Sequence, residues 1–90
     1  MPAFNVFFSH RADKGYKKAD SRTKEKLKGL FETLSENPVP VKYHDVTKIS
    51  GSESNYRVRL ADYRVIYTVF WTEKLIKMHD IGKRKDRTYG

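Results

Sequence analysis

YRVRLADYRVIY, residues 56–67, alternates polar and apolar side chains on both sides of a short turn and therefore predicts a β-hairpin. Successive side chains of a strand point to opposite faces, so the apolar residues before the turn share one face and Arg57 and Arg59 share the other. After the turn at Ala61-Asp62, the same alternation places Arg64 beside them. The hairpin therefore predicts one strongly positive sheet face, carrying an arginine cluster of Arg57, Arg59 and Arg64.

The arginine cluster has two interpretations. Guanidinium groups on neighbouring strands repel one another, so the cluster indicates a site for an anion, with phosphate as the first candidate. Alternatively, solvent-facing arginines protect a sheet against edge-to-edge pairing. A second basic run, Lys83 to Arg87, favours the anion site because the two clusters can converge, although such a run is also typical of a solvated chain end. Tyr89 either packs as an anchor or offers its ring and hydroxyl to a ligand.

The flanking segments predict an α+β domain. We expect an N-terminal strand, a helical hairpin and then a three- to four-stranded antiparallel meander, with the helices packed on one sheet face and the other face available. In order, the predicted elements are a strand over residues 4–8, a helix over 11–19 that Ser9 can cap, a helix that starts after Asp20 or Ser21 and stops at Asn37-Pro38, strand character over 43–47, the hairpin, and a strand over 74–81.

Composition limits the function classes. The 90 residues fit a single domain, 1–90, and the net charge of +8 favours a nucleic acid, an anionic membrane surface or an acidic protein as partner. The chain has no cysteine, and its three histidines are too dispersed for a metal site, so we expect no cofactor. No apolar run approaches the ~18 residues that span a bilayer, so we expect a cytoplasmic protein. Tyr67, Phe70 and Trp71 can stack on bases, but their pattern fits core positions better.

Four segments carry a resemblance to a known family: Ile49-Ser50-Gly51, Tyr56 to Leu60, Asp62 to Tyr67, and Ile81-Gly82-Lys83-Arg84. In these segments and in its element order, the chain resembles the RelE/ParE toxin superfamily, particularly the RelE-like toxins of archaea and bacteria. The resemblance implies the RelE-like microbial RNase fold and a toxin of a type II toxin-antitoxin system, with a cognate antitoxin as partner. It also implies a ribosome-dependent mRNA endonuclease that cleaves in the A site by attack of a 2′-OH on the adjacent phosphate.

The resemblance also implies site residues. Two basic residues that alternate along the family's strand before the turn match Arg57 and Arg59, and an arginine after the turn matches Arg64. These would hold the scissile phosphate without a metal, because fixed guanidinium groups stabilise the charge that develops there. An arginine after the final strand's glycine matches Arg84, which would act on the leaving oxygen, and a C-terminal tyrosine matches Tyr89, which would activate the 2′-OH. Candidate contacts to RNA or the ribosome are Lys83, Lys85 and Arg87.

Two other functions stay open from the sequence. A ParE-like protein would share the scaffold but bind and poison DNA gyrase, and a simple RNA- or ribosome-binding module would use the same basic surface without catalysis. A supercoiling assay identifies the first. Mapping of new mRNA 5′ ends separates the second from a nuclease.

Overall fold

The chain forms two helices and one five-stranded sheet over the residues that the computed structural model describes, 3–51 and 54–83. The strand order across the sheet is β1-β5-β4-β3-β2, and β1 runs parallel to β5 while the other neighbours are antiparallel. The predicted α+β architecture is confirmed, with a meander of four strands. The elements are β1 (Asn5–Phe8), α1 (His10–Lys18), α2 (Ser21–Glu36), β2 (Asp45–Lys48), β3 (Asn55–Leu60), β4 (Tyr63–Phe70) and β5 (Leu75–Lys83).

Helix α1 begins at a serine that also holds the helix to the sheet. The Ser9 hydroxyl accepts a hydrogen bond from the Ala12 amide at 3.0 Å and donates one to the His79 carbonyl of β5 at 2.9 Å. Helix α2 ends at Glu36, shortly before Pro38, which has no amide hydrogen to continue it. Both helices therefore start and stop within a residue or two of the predicted bounds.

The core lies between the helices and one face of the sheet. On the strands, every second side chain enters this core, which leaves the intervening side chains on the opposite face, called here the open face. The fully buried side chains include Ala12, Leu27, Leu30, Leu34, Val58, Val65, Tyr67, Val69, Ile76 and Met78. The open face is formed by Phe7 of β1, Leu75, Lys77, Asp80 and Gly82 of β5, Arg64, Ile66, Thr68 and Phe70 of β4, Asn55, Arg57 and Arg59 of β3, and Asp45 and Thr47 of β2.

Tyr67 is the largest fully buried side chain of the core. Its hydroxyl donates a 2.7 Å hydrogen bond to the Pro38 carbonyl, and its ring stacks on Tyr56 with the centroids 5.7 Å apart. Burial, with a smaller contribution from Tyr56, raises the pKa of Tyr67 above its ordinary value, because the phenolate would lose its hydration. The residue therefore stays neutral and ties β4 to the segment after α2.

Gly15 lets α1 lie directly against the last strand. A Cβ built at Gly15 would lie 1.7 Å from the Ile81 carbonyl oxygen, so no other residue fits without moving one of the two elements. The same construction at Gly29, on α2, meets no atom within 4 Å. Gly15 weakens the helix intrinsically, but it permits the close contact that α1 makes with β5.

Two details of the sequence prediction are wrong. The strand expected near residues 43–47 is β2, Asp45–Lys48, because the chain first makes a turn in which Tyr43 and His44 donate backbone hydrogen bonds to the Pro40 carbonyl. The core position expected for Phe70 and Trp71 also fails, since they are 39% and 47% exposed. Phe70 has the strand parity of Arg64 and so lies on the open face, whereas Tyr67 is buried as expected. Neither helix within the described ranges is long and apolar enough to cross a membrane.

Candidate anion-binding site

The register of the hairpin brings the arginine cluster together. Arg59 of β3 lies directly opposite Arg64 of β4, and Arg57 lies opposite Ile66. Facing residues of paired strands share a sheet face, with their Cβ atoms about 5 Å apart, so the three side chains project from the open face. The expected grouping of these arginines is confirmed, and the turn that sets it is tight, with Ala61 at φ 55°.

The cluster has little counter-charge. Arg59 Nη1 lies 4.0 Å from Asp45 Oδ2 in a solvent-exposed pair, which contributes little to stability. Among residues 3–51 and 54–83, no carboxylate lies within ion-pair distance of Arg57 or Arg64. Like charges that face each other across strands destabilise a sheet, so repulsion between Arg59 and Arg64 lowers the stability of the hairpin.

The two half-buried arginines also carry unsatisfied hydrogen-bond donors. The Nε atoms of Arg57 and Arg64 are buried and have no hydrogen-bond partner in the described part of the chain. A buried donor without an acceptor costs about 1–3 kcal/mol, and more when the group is charged. Partly desolvated, unneutralised cations gain more from an anion than cations in bulk water do. The cluster can therefore bind an oxyanion, which would supply both the missing charge and the missing hydrogen-bond acceptors.

Gly82 leaves space next to the cluster. It pairs with Arg64 across β4 and β5, and a Cβ built on it meets only Asp80 Oδ1, at 4.0 Å. Its φ is not in the left-handed region, so the backbone does not require glycine here. The missing side chain instead opens the surface beside Arg64, on the side where β5 ends.

Lys83 is the last described residue and lies at the turn of the hairpin. It pairs with Tyr63, and its Nζ lies 3.6 Å from Asp62 Oδ2. The strand β5 thus leads the chain to the arginine end of the open face. The other predicted site residues of the second basic run and beyond lie outside the described residues: Arg84, Lys85, Arg87 and Tyr89.

A basic groove on the helix side of Lys83 was not predicted. Two adjoining depressions of about 420 and 530 Å³ share Lys18, Tyr63 and Lys83. Their other cations are Arg11, Lys14, Arg22 and Lys26. The signal was present in the sequence, because residues 11, 14 and 18 recur at helical spacing and so share one side of α1. The described ranges contain no group of three His, Cys, Asp or Glu residues arranged to hold a metal ion.

Known proteins share both the sequence pattern and this architecture. A family model described as the ParE toxin of the type II toxin-antitoxin system, parDE, matches residues 6–88. A curated relative, putative toxin RelE1 of Methanocaldococcus jannaschii, is 37% identical over 82 residues, which are 91% of this chain and 91% of the relative.

Solved structures show the same fold. The toxin in the archaeal RelE-RelB complex from Pyrococcus horikoshii superposes with a TM-score of 0.83 at 31% identity, over 91% of this chain and 96% of that chain. A chain of the intact E. coli RelBE toxin-antitoxin complex gives 0.78 at 26% identity, over 93% and 100%. On the family match and these relatives, the chain belongs to the ParE/RelE family and is a RelE-type toxin of a type II toxin-antitoxin system.

Proposed function

We propose that this toxin is a metal-independent endoribonuclease that cleaves mRNA in the A site of the ribosome. The observation that carries the proposal is the arginine cluster on the open face, in which Arg57 and Arg64 are half-buried and form no ion pair with a carboxylate of residues 3–51 and 54–83. Attack of a ribose 2′-OH on its adjacent phosphate develops negative charge on the phosphorane and on the departing 5′ oxygen. Preorganised guanidinium groups stabilise such charge, and they do so best where water is partly excluded.

The positions of the three arginines suggest a division of roles. Arg59 and Arg64 face each other across the hairpin, which supports a role in which they would bind two oxygens of one phosphate. Arg57, one row further along β3, would neutralise the same phosphate or its neighbour. The roles proposed for Arg84, on the leaving oxygen, and Tyr89, on the 2′-OH, rest on the family resemblance, as do RNA or ribosome contacts by Lys83, Lys85 and Arg87.

Dependence on the ribosome would follow if the ribosome supplies the geometry of the mRNA. The arginine cluster supplies charge, but free RNA does not hold its 2′-OH, phosphorus and 5′ oxygen in line for attack. Orientation of reacting groups is worth ~7 kcal/mol or more, and a ribosome that holds the mRNA in the required shape would supply it. We therefore expect little activity on free RNA.

An antitoxin is the proposed protein partner. The Pyrococcus horikoshii and E. coli relatives were solved in complexes with RelB antitoxins. For this chain, a cognate antitoxin with an acidic segment would be attracted by the net charge of +8 and would cover the basic open face. Both partners, antitoxin and ribosome, place the proposed activity in the cytoplasm.

The test compares Arg64→Ala with Lys28→Ala in a purified translation system. Primer extension on translated mRNA should show new 5′ ends with the wild-type toxin and with Lys28→Ala, which removes an exposed lysine of α2 outside the basic groove. Arg64→Ala should reduce cleavage by about 100- to 1,000-fold, the usual effect of removing one group that stabilises an oxyanion in the transition state. Thermal unfolding of both variants should stay close to that of the wild type. Cleavage by Arg64→Ala at the wild-type rate would contradict the proposal.

A gyrase inhibitor is the second candidate, and the ParE description of the matching family model favours it. Purified toxin should leave DNA supercoiling by gyrase unchanged if the nuclease assignment is right. Inhibition of supercoiling together with intact mRNA on translating ribosomes would replace the nuclease by the inhibitor.

A further inference from the structure

The end of the open face away from the arginine cluster carries exposed aromatic side chains. Phe70 of β4 is 39% exposed and Phe7 of β1 is 53% exposed. Phe70 pairs with Leu75, and Phe7 pairs with Lys77, so both rings flank β5 on the same face. Exposed phenylalanines on a sheet face lose hydrophobic stabilisation unless something covers them.

A cross-strand row of Asn55, Thr68 and Lys77 separates Phe70 from the arginines, and Phe7 lies at the β1 end of that row. The Thr68 hydroxyl contacts Asn55 Oδ1 and lies 2.6 Å from His79 Nε2. The Thr68 hydroxyl donates its one proton to the Asn55 oxygen, and its contact with Nε2 holds the His79 ring in one orientation.

His79 lies at an irregular point of the pairing between β4 and β5. Ile66 pairs with Asp80 and Tyr67 pairs with Met78, so His79 is the extra residue of a β-bulge. Its carbonyl accepts the Ser9 hydrogen bond described above, which leaves the ring held by Thr68 on the open face. The bulge therefore presents a half-buried imidazole against Thr68, two residues along β4 from the exposed Phe70.

We propose that Phe70, Thr68 and His79 form a nucleobase subsite for single-stranded RNA whose phosphate occupies the arginine cluster. The inference rests on the proposed RNA-binding function and deepens it by naming what selects the sequence that is bound. Arg64, Thr68 and Phe70 lie on one face of β4, so the ring is about 20 Å and the hydroxyl about 13 Å along the strand from Arg64. RNA extended along β4 would thus pass from the cations to a hydrogen-bonding row and then to an aromatic platform, the combination that proteins use to bind single strands.

Charge favours RNA over an apolar protein segment as the occupant. Lys77 lies between Phe7 and Thr68 in one cross-strand row on the same face and is exposed. A cation within an aromatic patch suits a polyanion, whereas an apolar segment laid across the patch would desolvate it without compensation. The patch is also continuous with the arginine cluster through Ile66, so one strand of RNA can cover both.

The experiment pairs a protein variant with a base deletion. The probe is a fluorescent 2′-O-methyl RNA nonamer, which cannot be cleaved, used at low salt either intact or with one abasic residue moved along its length. By anisotropy, Phe70→Ala should weaken binding of the intact nonamer about 5- to 150-fold, the range for loss of one stacked base. With the abasic residue at the stacked position, the same substitution should have little further effect. Tyr43→Ala, which removes an aromatic ring that is 73% exposed outside the sheet, is the matched control and should bind like the wild type.

The polar part of the subsite has its own readout. Thr68→Val and His79→Ala should change which of four nonamers, differing in one base at the affected position, binds best, while the overall range of affinities stays similar. A purely structural role of the row would weaken all four nonamers equally and would overturn this part of the inference.

Other results would overturn the subsite as a whole. The first is that Phe70→Ala binds the intact nonamer with wild-type affinity, and the second is that its effect does not depend on any abasic position. The third is that the only effect of Phe70→Ala is a loss of self-association in sedimentation, which would assign the patch to a second copy of the chain. The nuclease assignment is tested separately from the subsite. If Phe70→Ala couples to an abasic position but Arg64→Ala still cleaves fully, the subsite is retained and the nuclease site is rejected. If there is no coupling but Arg64→Ala abolishes cleavage, the nuclease site is retained and the subsite is rejected.

Discussion

Replacing Gly15 by alanine tests how closely α1 must approach the sheet. The new Cβ would lie 1.7 Å from the Ile81 carbonyl oxygen, whereas ordinary contacts start at 3.4 Å, so the helix or the strand must move by about the difference. Overpacking against fixed atoms costs about 1–3 kcal/mol and sometimes more. Movement of α1 also strains the Ser9 bond to His79, which is worth about 1 kcal/mol. The better helix propensity of alanine returns about 1 kcal/mol.

The expected net effect is a loss of about 1–3 kcal/mol in the free energy of unfolding. For a domain of this size, that lowers Tm by about 5–20 °C. Gly29→Ala is the matched control, because its Cβ meets no atom within 4 Å and only the propensity term acts. We expect Gly29→Ala to raise Tm by several degrees, measured by circular dichroism or calorimetry on both variants.

The relative stability of the two variants can contradict the packing argument. If Gly15→Ala is as stable as Gly29→Ala, the helix can withdraw from β5 without cost, and the close contact does not set the position of α1. If both variants lose stability, the helix propensity argument fails instead.

Three further predictions concern the core, the site and the helix cap. Tyr67→Phe should lower the free energy of unfolding by about 1 kcal/mol at neutral pH, because the hydrogen bond to Pro38 is lost. The wild type should lose stability above about pH 10, where Tyr67 ionises in the unfolded chain but stays protonated in the folded one because burial raises its pKa, and the variant should not show this loss. Urea titrations from pH 7 to 11 measure both effects. Gly82→Leu should fill the space beside Arg64 and lower mRNA cleavage at least tenfold with Tm little changed, and unaltered primer-extension products would show that the space is not used. Ser9→Ala should cost about 1–2 kcal/mol in chemical denaturation, and a neutral result would mean that water replaces both hydrogen bonds.

The hairpin could be predicted because its sequence obeys one strong rule. Polar and apolar residues alternate from Tyr56 to Leu60 and again from Tyr63 to Val65, and one buried face fixes the register, so parity and the two-residue turn predict that Arg59 and Arg64 share a face. Phe70 was assigned to the core because hydrophobicity was weighed above parity. Its position two residues beyond Thr68 already placed it on the open face.

Other features depend on contacts between distant segments. The parallel pairing of β1 with β5 joins residues about 70 positions apart, and no local pattern announces it. From the sequence, Gly15 only weakens the predicted helix. The requirement for glycine comes from the Ile81 carbonyl, which lies on another element. The basic groove was missed because the cavity that Arg11, Lys14 and Lys18 line forms only when α1 lies beside Tyr63, which is distant in the sequence.

The place of β5 in the sheet has a consequence for biosynthesis. This strand is the last described element to be translated, yet it lies between β1 and β4 and receives the Ser9 hydroxyl bond from the other end of the chain. Until it has left the exit tunnel, β1 has no partner and β4 is paired only with β3, and closure over so long a loop is slow. A nascent or prematurely terminated chain would thus lack the complete sheet, because β5 is the strand that joins β1 to the β2-β3-β4 part of the sheet.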